Sequence, residues 1–302
     1  MPPVLPPDEA TRIFEAHRPR LARLAYRMLG SISEAEDVVQ DAWLRWRQVD
    51  LATVTAPPSF LSRIVTRLCL DVMKSARSRK ESYVGSWLPE PMVDEDEGID
   101  QDDLTLTLMM ALERLSPLER AAFLLHDVFG IGLDEVAATL DRDAPAVRQL
   151  AVRARKHVQD AKPRYPVAPQ EGEQIAQAFF AATRSGDVGA LRLMLAQDVV
   201  LKSDGGGKVH AFLNPIIGFD HVVRLFQGLD RKGMLAPAEM IRPMWIDGLP
   251  GYASFERGGL LQVTAFAIEE GRIAGIFITR NPDKLRHIAL LLEGESGTPQ
   301  HQ

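Results

Sequence analysis

The feature that most constrains this chain is a pair of short helical segments joined by a tight turn. The first segment runs from Leu133 to Leu140, and the second follows Asp143, an expected helix cap, and extends to Val158. Apolar residues recur in both segments at helical spacing, so the two helices can pack against each other at a fixed angle. This pattern is typical of a helix-turn-helix, whose second helix enters the major groove of DNA.

The second of these helices carries most of the residues that could contact DNA. Its polar positions include Arg148, Gln149, Arg153, Arg155 and Lys156. Arg148 and Gln149 lie near its amino end, where side chains can reach base edges, and the other three could contact phosphates. For this segment alone, a solvated helical hairpin with incidental basic residues stays open as the alternative.

The net charge of −6 hides an uneven distribution along the chain. Residues 87–103 contain eight acidic residues and no basic one, so acids and bases nearly balance elsewhere. The overall acidity is therefore weak evidence against nucleic acid binding. A second basic cluster lies in and just beyond a helix predicted to begin near Ser59; its members are Arg63, Arg67, Lys74, Arg77, Arg79 and Lys80.

Hydrophobic periodicity, interrupted by acidic and proline-rich stretches, divides the chain into three predicted domains and two connectors. The first two domains have helical spacing throughout, and the last changes to helices followed by strand-like alternation, with a hairpin turn at Glu270–Gly271. One predicted strand covers Val209–Phe212. The predicted boundaries are 8–83 (helical), 84–103 (acidic connector), 104–162 (helical, with the helix-turn-helix), 163–170 (proline-rich linker) and 171–292 (α+β).

Three local patterns predict where helices begin. Ser33–Glu36 has the spacing of a capping box, and Ser116 with Glu119 repeats it before a second helix. Asn281, followed by Pro282 and Asp283, combines a capping side chain, a proline and an acid near the helix start.

Several classes of protein are excluded by simple counts. Cys69 is the only cysteine, so an internal disulfide and a cysteine-based zinc site are excluded, and Cys69 is expected to be a buried core residue. No apolar run is long enough to span a bilayer, and the amino terminus lacks the pattern of a signal peptide. We expect a cytoplasmic protein without metal or cofactor.

Longer stretches of the sequence resemble a known family. Gly30–Arg45 resembles the core-polymerase-binding helix of sigma factors, and Leu115–Leu125 with the helix-turn-helix resembles their fourth domain. The absence of a third domain between them is typical of extracytoplasmic-function sigma factors. Trp87–Pro91, Asp204–Lys208 and Asn281–Leu285 resemble three signatures of the subgroup that carries a fused SnoaL-like, or NTF2-like, carboxy-terminal domain.

The resemblance implies a multidomain fold and a function. Two all-α sigma domains, the second with the helix-turn-helix, would precede an α+β, cone-shaped NTF2-like domain. The chain would bind core RNA polymerase through Asp37, Gln40 and Asp41 and direct promoter-specific initiation, with the polymerase performing the chemistry. The basic cluster that includes Arg63 and Lys80 would read and help melt the minus-ten element, and the second helix of the helix-turn-helix would contact the minus-thirty-five element.

The resemblance also implies control in cis. The carboxy-terminal domain would take the place of a separate anti-sigma factor, hold the sigma domains through the acidic connector, and aid polymerase engagement. The residues implied in these regulatory contacts are Trp87, Leu88, Pro89, Glu90 and Pro91 in the connector, Asp204, Gly205, Gly206, Gly207 and Lys208 in a loop, and Asn281, Pro282, Asp283, Lys284 and Leu285 near the end.

An alternative is a helix-turn-helix regulator fused to a small-molecule-binding or isomerase-like NTF2 domain. Such an enzyme needs a paired acid and base, and the candidates are Asp198, His210, Tyr252 and Glu256. No spacing in the sequence brings two of them together. The glycine-rich loop is not a phosphate-binding Walker motif, because Val209 follows its lysine. Whether the cone holds a ligand stays open at this point.

Overall fold

A computed structural model describes residues 8–81, 83–94, 105–159, 167–235 and 238–296, with the backbone alone at 76–81 and 294–296. The chain divides into two compact units. Unit 1 comprises Met1–Glu81 and Ala111–Asp160, and unit 2 comprises Ser82–Met110 and Ala161–Gln302. The segment between the two predicted helical domains therefore belongs to the same unit as the carboxy-terminal domain. Within the described ranges, no helix is both long and apolar enough to cross a membrane.

Unit 1 is built from helices throughout its described part. A 3-10 turn lies at Leu51–Thr53 and a π-helical turn at Leu124–Val128. Helix α4 runs across the boundary between the units. The helices are α1 (Glu9–Leu29), α2 (Ile32–Trp46), α3 (Pro57–Glu81), α4 (Leu106–Leu112), α5 (Pro117–Phe123), α6 (Leu133–Leu140) and α7 (Ala144–Val158).

The helix ends in unit 1 follow from local chemistry, with one correction. The Ser116–Glu119 capping box is confirmed, since each side chain bonds the other residue's backbone N–H. The predicted capping box at Ser33 is wrong, because Ser31 caps α2 and its hydroxyl accepts the Glu34 N–H at 3.2 Å. Gly30 ends α1 in a left-handed conformation, so the chain is already extended at Ser31 and Ser33 falls within the first helical turn.

The core of unit 1 is apolar and closely packed. Trp46 is fully buried, and its indole N–H donates to the carbonyl of Ala10 at 2.8 Å. Helix α3 buries an apolar stripe that includes Leu61, Val65 and Leu68. Cys69 is buried with them, as expected, and this burial raises the pKa of its thiol. Because the thiol stays protonated, Cys69 acts here as a small apolar side chain.

One buried arginine joins α5 to the end of α1. The Arg120 side chain is 3% exposed and donates to the carbonyls of Met28 at 2.7 Å and Leu112 at 3.0 Å. It also forms an ion pair with Glu113 at 2.7 Å. Both carbonyls lie at helix ends, where intrahelical partners are missing. Arg120 therefore links the first predicted helical domain to the second within unit 1.

Unit 2 consists of one six-stranded sheet with helices on both faces. The strand order is β2-β1-β6-β5-β4-β3, with β1 parallel to β6 and the other neighbours antiparallel. The elements are α8 (Pro169–Ser185), α9 (Val188–Met194), β1 (Leu195–Asp204), β2 (Ile216–Ile217), α10 (Phe219–Arg231), β3 (Glu239–Ile246), β4 (Leu249–Glu256), β5 (Leu260–Glu269), β6 (Arg272–Thr279) and α11 (Arg286–Ser296).

The two faces of this sheet have separate cores. On one face, here called the α8 face, Phe179 and Phe226 of the helices pack against the sheet around Phe266. On the opposite face, here called the connector face, Leu88 and Ile288 join the apolar residues of β3 to β6. The register shifts at one place in each of three strand pairs: β1–β6, β3–β4 and β5–β6. The predicted α+β class of the carboxy-terminal domain is confirmed.

Several local predictions in unit 2 are wrong. Val209–Phe212 forms no strand, and the short strand β2 comes after it. Helix α11 begins at Arg286 rather than after Asn281. The Asn281 amide oxygen instead accepts the Asp283 N–H at 3.1 Å, and the Asn281 N–H bonds the Asp204 carbonyl at 3.0 Å. The first bond is local and the second is tertiary; together they fix Asn281, and residues 282–285 form turns before the helix starts.

We expect Arg120→Met to destabilise unit 1 by about 3 kcal/mol, because it leaves two buried carbonyls and the Glu113 carboxylate without their partner. Hydrogen exchange of α1 and α5, followed by mass spectrometry, measures the change. The matched control is Arg114→Met, an exposed arginine in the same segment. Equal exchange in the two variants would contradict the structural role of Arg120.

Candidate nucleic-acid interface and regulatory site

The predicted polymerase-binding residues share one exposed face of α2. Asp37, Gln40 and Asp41 are exposed, while Val38 and Ala42 point into the core. The helical period places these polar residues opposite the apolar stripe. They form an accessible acidic surface, and its contact with the polymerase stays a prediction.

Some members of the basic cluster of α3 are buried in part or already bonded to other residues of unit 1. Arg63 is half-buried, and Lys74 pairs with Asp71 at 3.0 Å. Arg67 is exposed and donates from Nε to the Thr139 carbonyl of α6 at 3.3 Å. The side chains of Arg77, Arg79 and Lys80 lie outside the described residues. The helix that is predicted to read one promoter element thus contacts the helix-turn-helix.

The helix-turn-helix forms as predicted, with α6 and α7 as its two helices. Asp141 takes the left-handed turn position with φ 54°, and the Asp143 carboxylate caps α7 by accepting the Ala146 N–H at 2.6 Å. Val147 and Leu150 are buried on the inner face of α7. All five predicted DNA contacts are exposed on α7: Arg148, Gln149, Arg153, Arg155 and Lys156.

Two of these five residues form ion pairs within unit 1. Arg153 donates to Glu119 at 2.8 Å, and Arg155 donates to Asp127 at 2.6 Å. The pKa of Glu119 is lowered, first by the Ser116 hydroxyl and then by Arg153. Because exposed ion pairs add little stability, both arginines can exchange these carboxylates for phosphates at low cost. Arg148 and Gln149 lie closest to the amino end of α7.

A buried carboxylate brings the three signature segments together. Asp204, the last residue of β1, is 0% exposed. Its Oδ1 accepts the Tyr83 hydroxyl at 2.6 Å and the Gly206 N–H at 3.0 Å. Its Oδ2 accepts the Leu88 N–H at 2.9 Å and the Lys284 ammonium at 2.8 Å. We call Asp204 with Tyr83, Leu88, Asn281 and Lys284 the Asp204 clasp.

Lys284 completes the clasp from the carboxy-terminal signature. Its buried ammonium donates to the Leu88 carbonyl as well as to Asp204. The ammonium also lies 4.3 Å from the centre of the Trp87 ring and 5.2 Å from that of Tyr83. A buried charge with an ionic partner, a carbonyl and two ring faces is well compensated. Two chain segments that lie far apart in sequence are thereby joined around one charge pair.

The glycine-rich loop packs closely against the same segments. Gly206 and Gly207 have φ of 61° and 70°, a region that favours glycine. A Cβ at Gly206 would lie 2.3 Å from the Asn281 amide nitrogen. Lys208 pairs with Asp283 at the surface, and this contact is the main cause that lowers the pKa of Asp283. The loop therefore needs small residues, because it packs directly against the Asn281–Leu285 signature.

The other described residues between the two helical domains also follow the sheet. His287 bonds the Pro91 carbonyl at 2.7 Å, and Val93 forms a β-bridge with Ile246. Further along, the Leu106 N–H donates to the Asp247 carbonyl at 2.9 Å. The Gly248 N–H donates to Asp94, whose pKa burial raises. Residues 83–94 and 105–110, here called the docked segments, thus belong to unit 2.

Sequence reasoning left His287 open between a solvated position and a contact to the acidic connector, and its bond to Pro91 is such a contact. It missed Tyr83, which lies four residues before its signature, and Asp247, which belongs to no motif. The one available signal for Tyr83 is an aromatic residue directly after the basic cluster. Nothing local marks Asp247, because its partner Met92 lies 155 residues away in the chain.

The four residues considered as an acid–base pair do not form one site. Asp198 is exposed, whereas Tyr252 and Glu256 are buried on β4. Glu256 accepts bonds from Arg184 at 2.6 Å and Ser254 at 2.8 Å. Burial raises the pKa of Tyr252 to about 12. Only Tyr252 and Glu256 therefore share a strand face, and Glu256 is engaged in an ion pair.

Comparison with known proteins matches both helical parts of the chain. Residues 13–79 match Sigma-70 region 2, and residues 105–158 match Sigma-70 region 4. The chain is 36% identical to the ECF RNA polymerase sigma factor SigJ of Mycobacterium tuberculosis, over 90% of this chain and 91% of that protein. It belongs to the extracytoplasmic-function sigma factors. As a sigma factor it is a non-catalytic transcription initiation factor that works with core RNA polymerase at promoter DNA.

Two further comparisons include the carboxy-terminal domain. The probable ECF RNA polymerase sigma factor SigI of the same species is 31% identical, over 95% of this chain and 98% of that protein. The crystal structure of M. tuberculosis SigJ superposes with a TM-score of 0.72 at 31% identity and covers 91% of this chain and 98% of that one. Both matches cover nearly all of the related chain. They therefore include the fused third domain of this sigma factor.

We expect Asp204→Asn to release the docked segments. Each oxygen of the Asp204 carboxylate accepts hydrogen bonds from two donors, so the amide NH2 of the variant faces two donors whichever oxygen it replaces. The neutral amide also leaves Lys284 without its charge partner. The cost is about 3 kcal/mol, or roughly 100-fold in the local opening equilibrium. Hydrogen exchange at the Leu88 amide measures this opening.

Asp198→Asn on the same strand is the matched control, because that side chain is exposed. A second variant, Asp204→Asn with Lys284→Met, removes the unpaired charge and is expected to recover part of the protection. Unchanged protection of Leu88 in Asp204→Asn would show that the clasp does not hold the segment.

Proposed function

We propose that this sigma factor directs promoter-specific initiation under control of its own carboxy-terminal domain, and that the Asp204 clasp is the control point. The acidic face of α2 contacts core polymerase, the basic side of α3 reads the minus-ten element, and α7 reads the minus-thirty-five element. The clasp carries this proposal, because it ties the segment between the two sigma domains to the third domain. A polymerase subunit of this kind works in the cytoplasm.

The contact between α3 and α6 supports a closed resting form. Arg67 bonds Thr139 across the two sigma domains, and Arg120 joins α5 to α1. The two promoter elements lie about 25 base pairs apart, which is roughly 85 Å at 3.4 Å per base pair. Two domains in direct contact do not reach both elements. Promoter binding therefore requires that the sigma domains separate.

The length of the joining segment supports the clasp as the control point. Residues 82–110 would span about 95 Å if fully extended, which suffices for the two elements. In unit 2, residues 83–94 and 105–110 are instead bonded along the sheet. Release of these docked segments makes the necessary length available. The domain boundaries 8–83, 104–162 and 171–292 remain our proposal for the functional parts.

We expect Asp204→Asn to raise initiation several-fold in run-off transcription with core polymerase from a cognate promoter. The physical reason is the weaker hold on the docked segments, which lowers the free energy needed to separate the sigma domains. Asp198→Asn should transcribe like the natural chain. Titration of each variant against a fixed amount of core polymerase separates altered affinity from altered initiation.

Two results would count against control by release. Equal transcription by Asp204→Asn and the natural chain, with Leu88 deprotected, would show that docking does not limit initiation. A fall in transcription would show that the docked form is the active one. Two truncations both remove Lys284: removal of only the tail from Asn281 onward, and deletion after about residue 165. We expect transcription by each of them to differ from that of the full chain.

We expect Arg148→Ala to lower promoter-specific initiation about tenfold, because a well-placed arginine contact to a base discriminates by about 1–3 kcal/mol. Binding to core polymerase, measured by pull-down, should stay unchanged. Arg18→Ala, at an exposed position of α1, is the matched control. If both variants transcribe like the natural chain, α7 does not read the promoter through Arg148.

A further inference from the structure

The α8 face of the sheet contains hydrogen-bond donors that lack acceptors. Ser203 is 1% exposed, and its hydroxyl has no partner among the described residues. The Nε atoms of Arg184 and Arg280 are also buried and unpartnered within that part of the chain. An arginine Nε–H can only donate. What this region lacks is therefore an acceptor.

Strand register places these donors on one side of the sheet. Ser203 pairs with Ile278 and Ile278 with Thr264, which in turn pairs with Tyr252, so all four side chains lie on the α8 face. Arg280 follows two residues after Ile278 and continues along the same side. Arg184 comes from α8, where its guanidinium lies 4.8 Å from the centre of the Phe180 ring.

The charges on this face do not balance. Arg184 is paired with Glu256, but Arg280 has no carboxylate partner among the described residues and donates to the His210 carbonyl at 2.7 Å. The pKa of Arg280 is lowered by burial, and its charge interacts with both Glu256 and Arg184. Two guanidinium groups thus face one carboxylate, and one positive charge is left over in a partly buried place.

The surroundings of these donors are apolar and aromatic. Phe180 and Tyr252 pack edge to face with their centres 5.3 Å apart, and Phe212 and Met240 border the same core. A net positive charge with unpartnered donors favours a carboxylate, and an aromatic border favours an apolar body. Water alone would satisfy the donors but would leave the charge unpaired.

We propose that the α8 face binds a small organic carboxylate, with its oxygens on Arg280, Arg184 and Ser203 and its apolar part against Phe180 and Tyr252. The proposal assigns a ligand-binding function to the carboxy-terminal domain. Binding requires only unit 2 and does not depend on the proposed control of initiation.

The same strands connect this site to the Asp204 clasp. Ser203 directly precedes Asp204, and Arg280 directly precedes Asn281, so neighbouring residues serve the two sites. The backbone N–H groups of Arg280 and Asn281 both donate to the Asp204 carbonyl, at 2.8 Å and 3.0 Å. A ligand that fixes Ser203 and Arg280 therefore also stabilises the clasp. This coupling, unlike binding itself, rests on the proposed function.

The test is calorimetric titration of the full chain with benzoate and hexanoate, and with benzamide as the neutral counterpart of benzoate. At about 10 mM, a ligand with a Kd near 1 mM is almost saturating. We expect a carboxylate to bind and benzamide to bind at least about tenfold more weakly, because it lacks the charge. Absence of binding by both carboxylates, or equal binding of benzamide, overturns the proposal.

Variants locate the binding site. Arg280→Met should weaken carboxylate binding about tenfold or more, and Ser203→Ala about threefold to tenfold. Arg224→Met, at an exposed position of α10, should bind as the natural chain does. The thermal unfolding of Arg280→Met without ligand shows whether the variant folds. If it folds and binds equally well, the anion site is not at Arg280; if it does not fold, Ser203→Ala decides.

A final measurement addresses the coupling. With bound benzoate, hydrogen exchange at the Leu88 amide should slow in the natural chain, and unchanged exchange would overturn the coupling. Benzoate binding is measured without polymerase, and the transcription experiments use no benzoate. Failure of the ligand site and failure of the proposed function are therefore distinguishable.

Discussion

The second unit of this sigma factor depends on one buried charge pair, Asp204 with Lys284. Asp204 is completely buried and Lys284 nearly so, and the carboxylate oxygens and the ammonium find further partners in Tyr83, Leu88 and the glycine-rich loop. A buried pair of this kind contributes little net stability, because desolvation offsets much of the attraction. Its main effect is specificity: only one arrangement of the three signature segments satisfies every group. A regulatory contact benefits from that property, since loss of any one partner destabilises the whole set.

The first unit shows a different balance of interactions. Arg120 is buried and joins helix ends across the two sigma domains, whereas the ion pairs of Arg153 and Arg155 lie at the surface of α7. Solvent and salt screen the exposed pairs, so these arginines can exchange their carboxylates for phosphates with little change in free energy. The buried contacts are the ones that resist separation of the domains. The difference in burial thus separates exposed groups, which are accessible to DNA, from buried groups, which join the two sigma domains.

Local sequence patterns predicted the elements whose causes are local. The helix-turn-helix, its Asp143 cap, the Ser116 capping box and the Glu270–Gly271 hairpin all depend on residues within a few positions of one another. The failures at Asn281 and in strand β4 have nonlocal causes. Asn281 has every feature of a helix cap, yet Asp204, which lies far away in the chain, holds its backbone in a turn. Strand β4 was not predicted because it is buried along nearly its whole length, which removes the alternation that identifies a half-exposed strand.

For this chain, residue order alone was enough to establish the family, the all-α and α+β parts, and the positions of the three signature segments. It was enough because helix periodicity, capping and motif spacing are properties of neighbouring residues. The meeting of the three signatures around Asp204, the linkage of the sigma domains by Arg120, and the unpartnered donors at Ser203 and Arg280 belong to the folded protein alone. Burial and charge compensation depend on which distant side chains come together, and only the packing of the chain decides that.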